Sequence, residues 1–245
     1  MKLRLLLTLA IMLSAAALPA QTNSSTEPAP VMGAALVPAP RENPKNWMSR
    51  HEKFVAQAKR GGIDILFLGD SITDFWRTKG SNVWNQYYAP RHAANFGISG
   101  DRTQNVLWRI ENGELDGIHP KVTVLMIGTN NSKSDSAADI AGAIGMIIDQ
   151  IHSKIPDTKI LLLAIFPRNK PKDTPQSLET ISEVNTQIAF YDNSDTVRFL
   201  DIGAKFLGPD GKVHKDVMAD YLHPTQKGYK IWAAAMEPTL DAMLK

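Results

Sequence analysis

The chain has 245 residues, of which 43% are hydrophobic and 21% are charged, a balance typical of globular proteins. Its 27 basic residues exceed its 25 acidic residues only because of Lys2 and Arg4, so the chain beyond residue 20 carries no net charge when its histidines are neutral. This balance argues against a nucleic-acid-binding protein and gives no polybasic membrane patch. The absence of cysteine excludes disulfides, cysteine-ligated metals and a cysteine nucleophile.

The first twenty residues have the layout of a secretory signal peptide. Lys2 and Arg4 precede an apolar run over residues 5–13, and small residues follow it. We expect cleavage after Ala17 or Ala20 and a secreted or periplasmic protein with no stable membrane insertion once the signal is removed. The alternative is an uncleaved membrane anchor, but the apolar run is shorter than the roughly 20 residues that span a bilayer.

The next segment, residues 21–46, is rich in proline, alanine and polar residues, which is typical of a flexible tether. We find no internal repeat and no second linker after it. The sequence therefore predicts one folded domain over residues 47–245.

Short apolar runs alternate with helical patterns from residue 63 onward. The expected strands cover residues 63–68, 93–96, 122–127, 159–165 and 197–200. The expected helices cover residues 82–88, 103–112, 137–154, 177–191 and 226–244. Because continuous apolar strands belong to sheets covered on both faces, this order predicts a three-layer α/β/α sandwich around a five-stranded parallel sheet.

Glycine-led polar loops follow the first three predicted strands, at residues 69–73, 97–101 and 128–131, and a fourth polar cluster lies at residues 220–223. Parallel sheets of this kind form their sites at the carboxyl ends of their strands. Each loop alone has an ordinary structural explanation as a turn or helix cap, and His223 alone could be a surface residue. Together, in this order, they predict a single catalytic site.

The residues in these loops suit nucleophilic catalysis. The hydroxyl of Ser71 needs a base to take its proton, His223 can supply that base, and Asp220 can orient the imidazole. The backbone N–H of Ser71, the N–H of Gly100 and the side-chain amide of Asn130 are candidate donors to an oxyanion. The remaining histidines have no metal-ligand spacing, so we expect neither a metal nor a cofactor.

Four motifs carry a family resemblance. GDSIT (69–73), ISGD (98–101), GTNN (128–131) and DYLH (220–223) resemble the conserved blocks of SGNH (GDSL-like) hydrolases, in the same order. The string NFGISGDRTQNVLWRIENGEL (95–115) resembles the platelet-activating-factor acetylhydrolase catalytic subunits within that family, although Ser99 stands where those subunits carry glycine.

The resemblance implies a flavodoxin-like fold and assigns the site. Ser71 would be the nucleophile, His223 the base and Asp220 the orienting acid, with an oxyanion hole made of Ser71, Gly100 and Asn130. It implies hydrolysis of carboxylic esters through an acyl-enzyme without a cofactor.

Export and the resemblance together favour a short-chain ester, first of all an acetyl ester, of a carbohydrate such as a sialic acid or xylan. Two alternatives stay open: a lipid-directed esterase, either lysophospholipase or platelet-activating-factor acetylhydrolase-like, and a non-catalytic carbohydrate-binding module on the same fold. Trp76 and Arg77 follow the nucleophile and could line a pocket, although core packing is the more usual fate of a large aromatic residue. The sequence gives no oligomeric state.

Overall fold

A five-stranded sheet forms the centre of the protein in a computed structural model that describes residues 32–41 and 46–245. All strand pairings are parallel, and the spatial order is β2-β1-β3-β4-β5. The strands are β1 (Ile65–Gly69), β2 (Ala93–Gly97), β3 (Val122–Met126), β4 (Lys159–Leu163) and β5 (Val197–Leu200). The predicted parallel sheet is therefore confirmed, and each strand lies within a residue or two of the apolar run that predicted it.

Helices cover both faces of this sheet. They are α1 (Trp47–Arg60), α2 (Ser71–Asp74), α3 (Ser81–Tyr87), α4 (Thr103–Arg109), α5 (Ala137–Lys154), α6 (Pro175–Ile188) and α7 (Gln226–Met243). Five of them correspond to predicted helices. The predicted helix 103–112 changes at Ile110 into a π-helical turn, in which Gly113 has a φ of +98°.

The side chains of each strand alternate between two cores, as the two-residue period of a strand requires. Leu66 and Leu68 of β1 point into a core shared with α1, α4, α5 and α6. Ile65 and Phe67 point into a second core shared with α2, α3 and α7. Burial on both faces explains why the strands are continuously apolar, and it confirms the three-layer α/β/α arrangement.

Helix α1 has no counterpart among the predicted elements. Its buried residues are Trp47, His51, Phe54 and Ala58, which recur at helical spacing and form one face against the first core. Most of the other positions of the helix are polar, and the two residues that follow it, Gly61 and Gly62, both have positive φ.

Part of the segment that composition assigns to a tether packs on the domain. Within residues 32–41, Ala35 is fully buried and its carbonyl accepts a hydrogen bond from Thr103 Oγ1 at 3.0 Å. The N–H of Ala39 donates to the carbonyl of Gln104 at 3.1 Å. Small residues allow this segment to lie close to α4 and α5, so the folded domain includes residues 32–41 as well as the predicted 47–245.

The predicted signal peptide (1–20), the rest of the predicted tether before Met32 and residues 42–45 lie outside the described residues. Within the described ranges, none of the helices combines the length and the apolar character needed to cross a bilayer.

Candidate active site

Ser71 lies where β1 passes into α2, as the first residue of that helix. Asp70 is the N-cap, and its Oδ1 accepts the N–H of Ile72 at 2.9 Å. Burial raises the pKa of Asp70 to about 7. Because β1 lies between β2 and β3, the loops that follow those two strands flank Ser71 on either side.

The three side chains of the predicted triad form one hydrogen-bonded row. Ser71 Oγ lies 2.9 Å from His223 Nε2, and His223 Nδ1 lies 2.8 Å from Asp220 Oδ2. An ionised carboxylate only accepts, so the proton of the neutral ring lies on Nδ1 and Nε2 is left to accept the hydroxyl proton of Ser71. The row therefore has the polarity that proton transfer from Ser71 to His223 requires.

The loop before α7 holds the acid and the base together. Asp220 Oδ1 accepts the backbone N–H of His223 at 2.8 Å and that of Leu222 at 3.3 Å. Tyr221 between them has a φ of +61°, which closes the turn tightly enough for Oδ2 to reach the imidazole. On its other side, the imidazole packs against the Phe75 ring, with 4.9 Å between centroids.

The electrostatics of the row favour an aspartate and a neutral histidine. Burial raises the pKa of Asp220, but hydrogen bonds from the backbone and ring of His223 and from Lys170 outweigh it and bring that pKa well below its usual value. Lys170 Nζ lies 3.1 Å from Asp220 Oδ2. Burial lowers the pKa of His223, and the neighbouring Asp220 only partly restores it.

Gly100 and Asn130, the other predicted oxyanion donors, lie in adjoining loops. Gly100 follows β2 and has a φ of +85°, which favours glycine. Asn130 follows β3, and its Nδ2 donates to the carbonyl of Asp101 at 2.8 Å. The loops that carry the two donors are therefore linked directly, beside the amino end of the helix that begins with Ser71.

Ser99 ties the Gly100 loop to the helix of Ser71. Its hydroxyl donates to Asp74 Oδ2 at 2.6 Å, and its N–H reaches the same oxygen at 3.1 Å. Arg50 and Arg77 both donate to Asp74 as well, and together these bonds lower the pKa of Asp74 despite its burial. Ser99 thus holds the Gly100 loop against α2 through Asp74, and Arg77 belongs to the same network.

Arg41, which was not among the predicted site residues, reaches the site from the segment before α1. Its Nη1 donates to the carbonyl of Ser99 at 2.6 Å. A Cβ added at Gly100 would lie only 2.9 Å from this guanidinium. A side chain at position 100 would therefore have to displace the Arg41 guanidinium, in addition to adopting a positive φ.

A buried ionic cluster contacts the loop of Gly100 through Asp101. Arg109 is fully buried and contacts both Asp101, at 2.9 Å, and Glu114. Glu114 in turn contacts His51 Nδ1 at 3.1 Å, and Trp47 Nε1 donates to Asp101 Oδ1 at 2.7 Å. Burial raises the pKa of Asp101 to about 6, although Arg109 opposes the shift. Arg109, an ordinary charged helix position by sequence, is thus an internal support.

Two cavities adjoin Asn130. The first, of about 560 Å³, is lined by residues that include Thr129, Asn130, Lys133, Arg168, Lys170 and Leu222. The second, of about 450 Å³, is lined by residues that include Pro40, Arg41, Gly100, Arg102, Gln104 and Asn130. Trp76 lines neither cavity, because it is fully buried in the second core. In the part of the chain that is described, no three histidine or acidic side chains are grouped to bind a metal ion.

Known proteins share this architecture. The chain matches the model of the GDSL-like Lipase/Acylhydrolase family over residues 67–231. It is 38% identical over 184 residues to platelet-activating factor acetylhydrolase IB subunit alpha2 of Rattus norvegicus. The aligned region covers 75% of this chain and 78% of that protein.

Two solved structures illustrate the shared fold. A GDSL-like lipase from Bacteroides thetaiotaomicron has a TM-score of 0.62 and 19% identity, over 81% of this chain and 97% of that one. A catalytic mutant of an acetylxylan esterase from Geobacillus stearothermophilus has a TM-score of 0.56 and 18% identity, over 73% and 94% respectively.

These findings define a class of enzyme, the carboxylic-ester hydrolases built on an α/β/α sandwich. More particularly, the chain belongs to the GDSL-like lipase/acylhydrolase family, which confirms the resemblance carried by its four motifs.

Proposed function

We propose that the protein is an exported serine esterase that removes short acyl groups, acetyl foremost, from carbohydrate. The observation that carries this proposal is the row in which Ser71 Oγ lies 2.9 Å from His223 Nε2 and His223 Nδ1 lies 2.8 Å from Asp220. The acetyl preference draws on the acetylhydrolase named above, a relative at 38% identity.

The reaction proceeds in two halves. Ser71 Oγ attacks the ester carbonyl as its proton passes to His223 Nε2, and the carbonyl oxygen becomes an oxyanion. His223 then gives that proton to the departing alcohol, which leaves Ser71 acylated. Water repeats the sequence with His223 as base, releasing the carboxylic acid and restoring the hydroxyl of Ser71.

The oxyanion is held in this scheme by three donors: the N–H of Ser71, the N–H of Gly100 and the side-chain amide of Asn130. Their hydrogen bonds become stronger as negative charge develops on the carbonyl oxygen. They therefore stabilise the transition state more than the bound substrate, which accelerates the reaction. Asp220 keeps the proton of His223 on Nδ1 and stabilises the imidazolium that forms.

We place a sugar ester ahead of a lipid because of the polar groups in the 560 Å³ cavity, one of the two that adjoin Asn130. Thr129, Asn130 and four cationic side chains supply it with groups that can hydrogen-bond to sugar hydroxyls, beside the apolar Pro171 and Leu222. A lipid-directed esterase is the second candidate, since the relative above is named for platelet-activating factor. Comparing kcat/KM for acetyl and octanoyl esters of one alcohol separates the two, because an apolar groove would favour the longer chain.

The decisive test is hydrolysis of p-nitrophenyl acetate together with labelling by a fluorophosphonate probe. We expect the wild type to be active and labelled at Ser71, and Ser71→Ala to lose both. Ser153→Ala, at an exposed serine of α5, is the matched control and should behave as wild type. Activity that survives Ser71→Ala would refute the assignment, and a wild type that neither reacts nor labels would favour a non-catalytic binding module.

Export is the remaining part of the proposal and depends on residues 1–20. N-terminal sequencing of protein recovered outside the cytoplasm tests it directly. We expect the mature chain to begin at residue 18 or 21, after Ala17 or Ala20. Recovery of an uncleaved chain in the membrane fraction would contradict export and support an anchor.

A further inference from the structure

The 560 Å³ cavity beside Asn130 has a strongly one-sided charge. Four of its lining residues are cationic, namely Lys133, Arg168, Lys170 and Lys172, and none is acidic. The chain beyond residue 20 has equal numbers of basic and acidic residues, so the excess is local. A concave surface lined by one sign of charge raises the local concentration of the opposite sign.

Not all four cations are equally available. Arg168 donates hydrogen bonds to Asp173 through Nε and Nη2, and to Thr129 through Nη1. It therefore shapes the wall of the cavity. Lys133 Nζ lies 3.2 Å from Asp173 Oδ1 and donates to the carbonyl of Lys172. An ammonium group has three donors, so Lys133 keeps one beyond these two contacts.

Lys170 and Lys172 complete the set. Lys170 uses one donor on Asp220 and keeps two. Lys172 is exposed, and within the described residues its ammonium forms no ion pair. The partner acids, Asp173 and Asp220, do not line the cavity. They offset part of the positive charge of Lys133, Arg168 and Lys170, but the residues that face the interior of the cavity are cationic and not acidic.

The position of the cavity connects it to the reaction. Asn130, a candidate oxyanion donor, lies on its wall, and Leu222, next to His223, lies on it too. Lys170 links it to the triad through its 3.1 Å contact with Asp220. A group bound here would belong to the molecule whose ester reacts at Ser71.

We propose that this cavity binds a carboxylate on the alcohol part of the substrate, so that the preferred substrates are acyl esters of acidic sugars such as uronates. The inference rests on the esterase function proposed above and narrows its substrate class. A volume of about 560 Å³ suits a sugar unit with its carboxylate, and small-molecule sites commonly fall in this size range.

The test compares two substrates that differ in one charge: mono-O-acetylated methyl glucuronoside and mono-O-acetylated methyl glucoside, acetylated at the same position. We expect kcat/KM to be about tenfold higher for the uronate, in keeping with two or three partly screened ion pairs. Added salt should reduce this ratio, since it screens exposed charges. A ratio near one in the wild type would overturn the inference.

Two variants locate the effect. Lys172→Glu should lower the ratio of the two kcat/KM values by roughly 3- to 10-fold, because one attraction becomes a repulsion. Lys230→Glu makes the same change at an exposed position of α7 that lines neither cavity, and its ratio should equal that of the wild type. Equal losses in both variants would refute a local site.

These experiments also distinguish failure of the carboxylate site from failure of the proposed esterase activity. A wild type that hydrolyses p-nitrophenyl acetate but ignores the charge of the sugar contradicts the carboxylate site alone. A wild type inactive on every ester contradicts both. Faster hydrolysis of an acetylated lysophospholipid than of either sugar would assign the cavity to a phosphate headgroup and overturn the inference.

Discussion

Asn130 donates its side-chain amide to the backbone carbonyl of Asp101 at 2.8 Å, which joins the loop after β3 to the loop after β2. An asparagine amide has two N–H donors. One is committed to Asp101, so the other is the one available to an oxyanion. The same bond thus holds Asn130 in place and fixes its distance from Gly100, the neighbour of Asp101.

Asn130→Ala removes both this bond and the proposed oxyanion donor. We expect kcat for p-nitrophenyl acetate to fall by about 10² to 10³, the usual effect of losing one such donor, while KM changes little. Steady-state kinetics measure both values. The control is Asn112→Ala, at an exposed amide that donates to the carbonyl of Trp108, and it should retain wild-type kcat. An unchanged kcat in Asn130→Ala would show that Asn130 only braces the loop.

Asp220→Asn tests how the imidazole is oriented. Asp220 Oδ1 accepts two backbone N–H groups, so the oxygen of the new asparagine would remain there and its NH₂ would face His223 Nδ1. That arrangement makes Nδ1 an acceptor and moves the ring proton to Nε2, where it blocks proton transfer from Ser71. We expect kcat to fall by about 10⁴.

The matched control for this substitution is Asp216→Asn. Asp216 is an exposed carboxylate of the same loop that pairs with Lys227 at 2.6 Å. Steady-state kinetics on p-nitrophenyl acetate should give it nearly wild-type activity. Comparable losses in the two variants would mean that the loop, rather than the proton position, is what Asp220→Asn disturbs.

The activity should persist into mildly acidic solution. Burial lowers the pKa of His223 below the ordinary 6.5; Asp220 opposes this, whereas Lys79 and Lys170 add to it. The base must be neutral, so activity is present above the pKa of His223 and is lost as the pH falls through it. A profile of kcat/KM against pH, with p-nitrophenyl acetate as a neutral substrate, should therefore turn downward below pH 6.5.

Lys170→Met tests the direction in which Lys170 shifts the pKa of His223. Removing a cation near the imidazole raises the pKa of His223, so the acidic limb should move to higher pH. Lys230→Met, on the exposed face of α7, should leave the limb where it is. A limb that stays fixed in Lys170→Met, or moves to lower pH, would contradict the described electrostatics.

The fold was predictable because its strands are apolar throughout and its loops begin with glycine. Parallel strands end at the same edge, so Ser71 and the loops of Gly100 and Asn130 could be grouped without coordinates. The pair Asp220 and His223 could be added because three residues of spacing let one turn hold both. These inferences need only local pattern and sheet topology.

Other parts of the site depend on contacts that local pattern does not encode. Lys170 approaches Asp220 from a loop fifty residues earlier in the chain, and Arg41 approaches Ser99 from a segment whose composition resembles a linker. Helix α1 did carry a signal, since its buried residues recur at helical spacing, but the polar residues between them obscured it. The burial of Arg109 had no local signal, because its partner Asp101 lies in a loop outside its helix.

Arg109→Met tests the buried ionic cluster through stability. The substitution keeps much of the side-chain volume but leaves Asp101 and Glu114 without their common cation in a fully buried place. Removal of one partner from a buried ionic group destabilises a protein by about 3 to 5 kcal/mol. The free energy of unfolding, measured by urea denaturation, should therefore fall by that amount.

Arg91→Met is the appropriate comparison for this last prediction. Arg91 also pairs with two acids, Glu237 at 2.8 Å and Asp241 at 2.9 Å, but its ion pairs are partly exposed to solvent. Exposed pairs contribute at most about 1 kcal/mol, so this variant should unfold close to the wild type. Equal unfolding free energies for the two variants would mean that water reaches the Arg109 cluster and that burial does not determine its contribution.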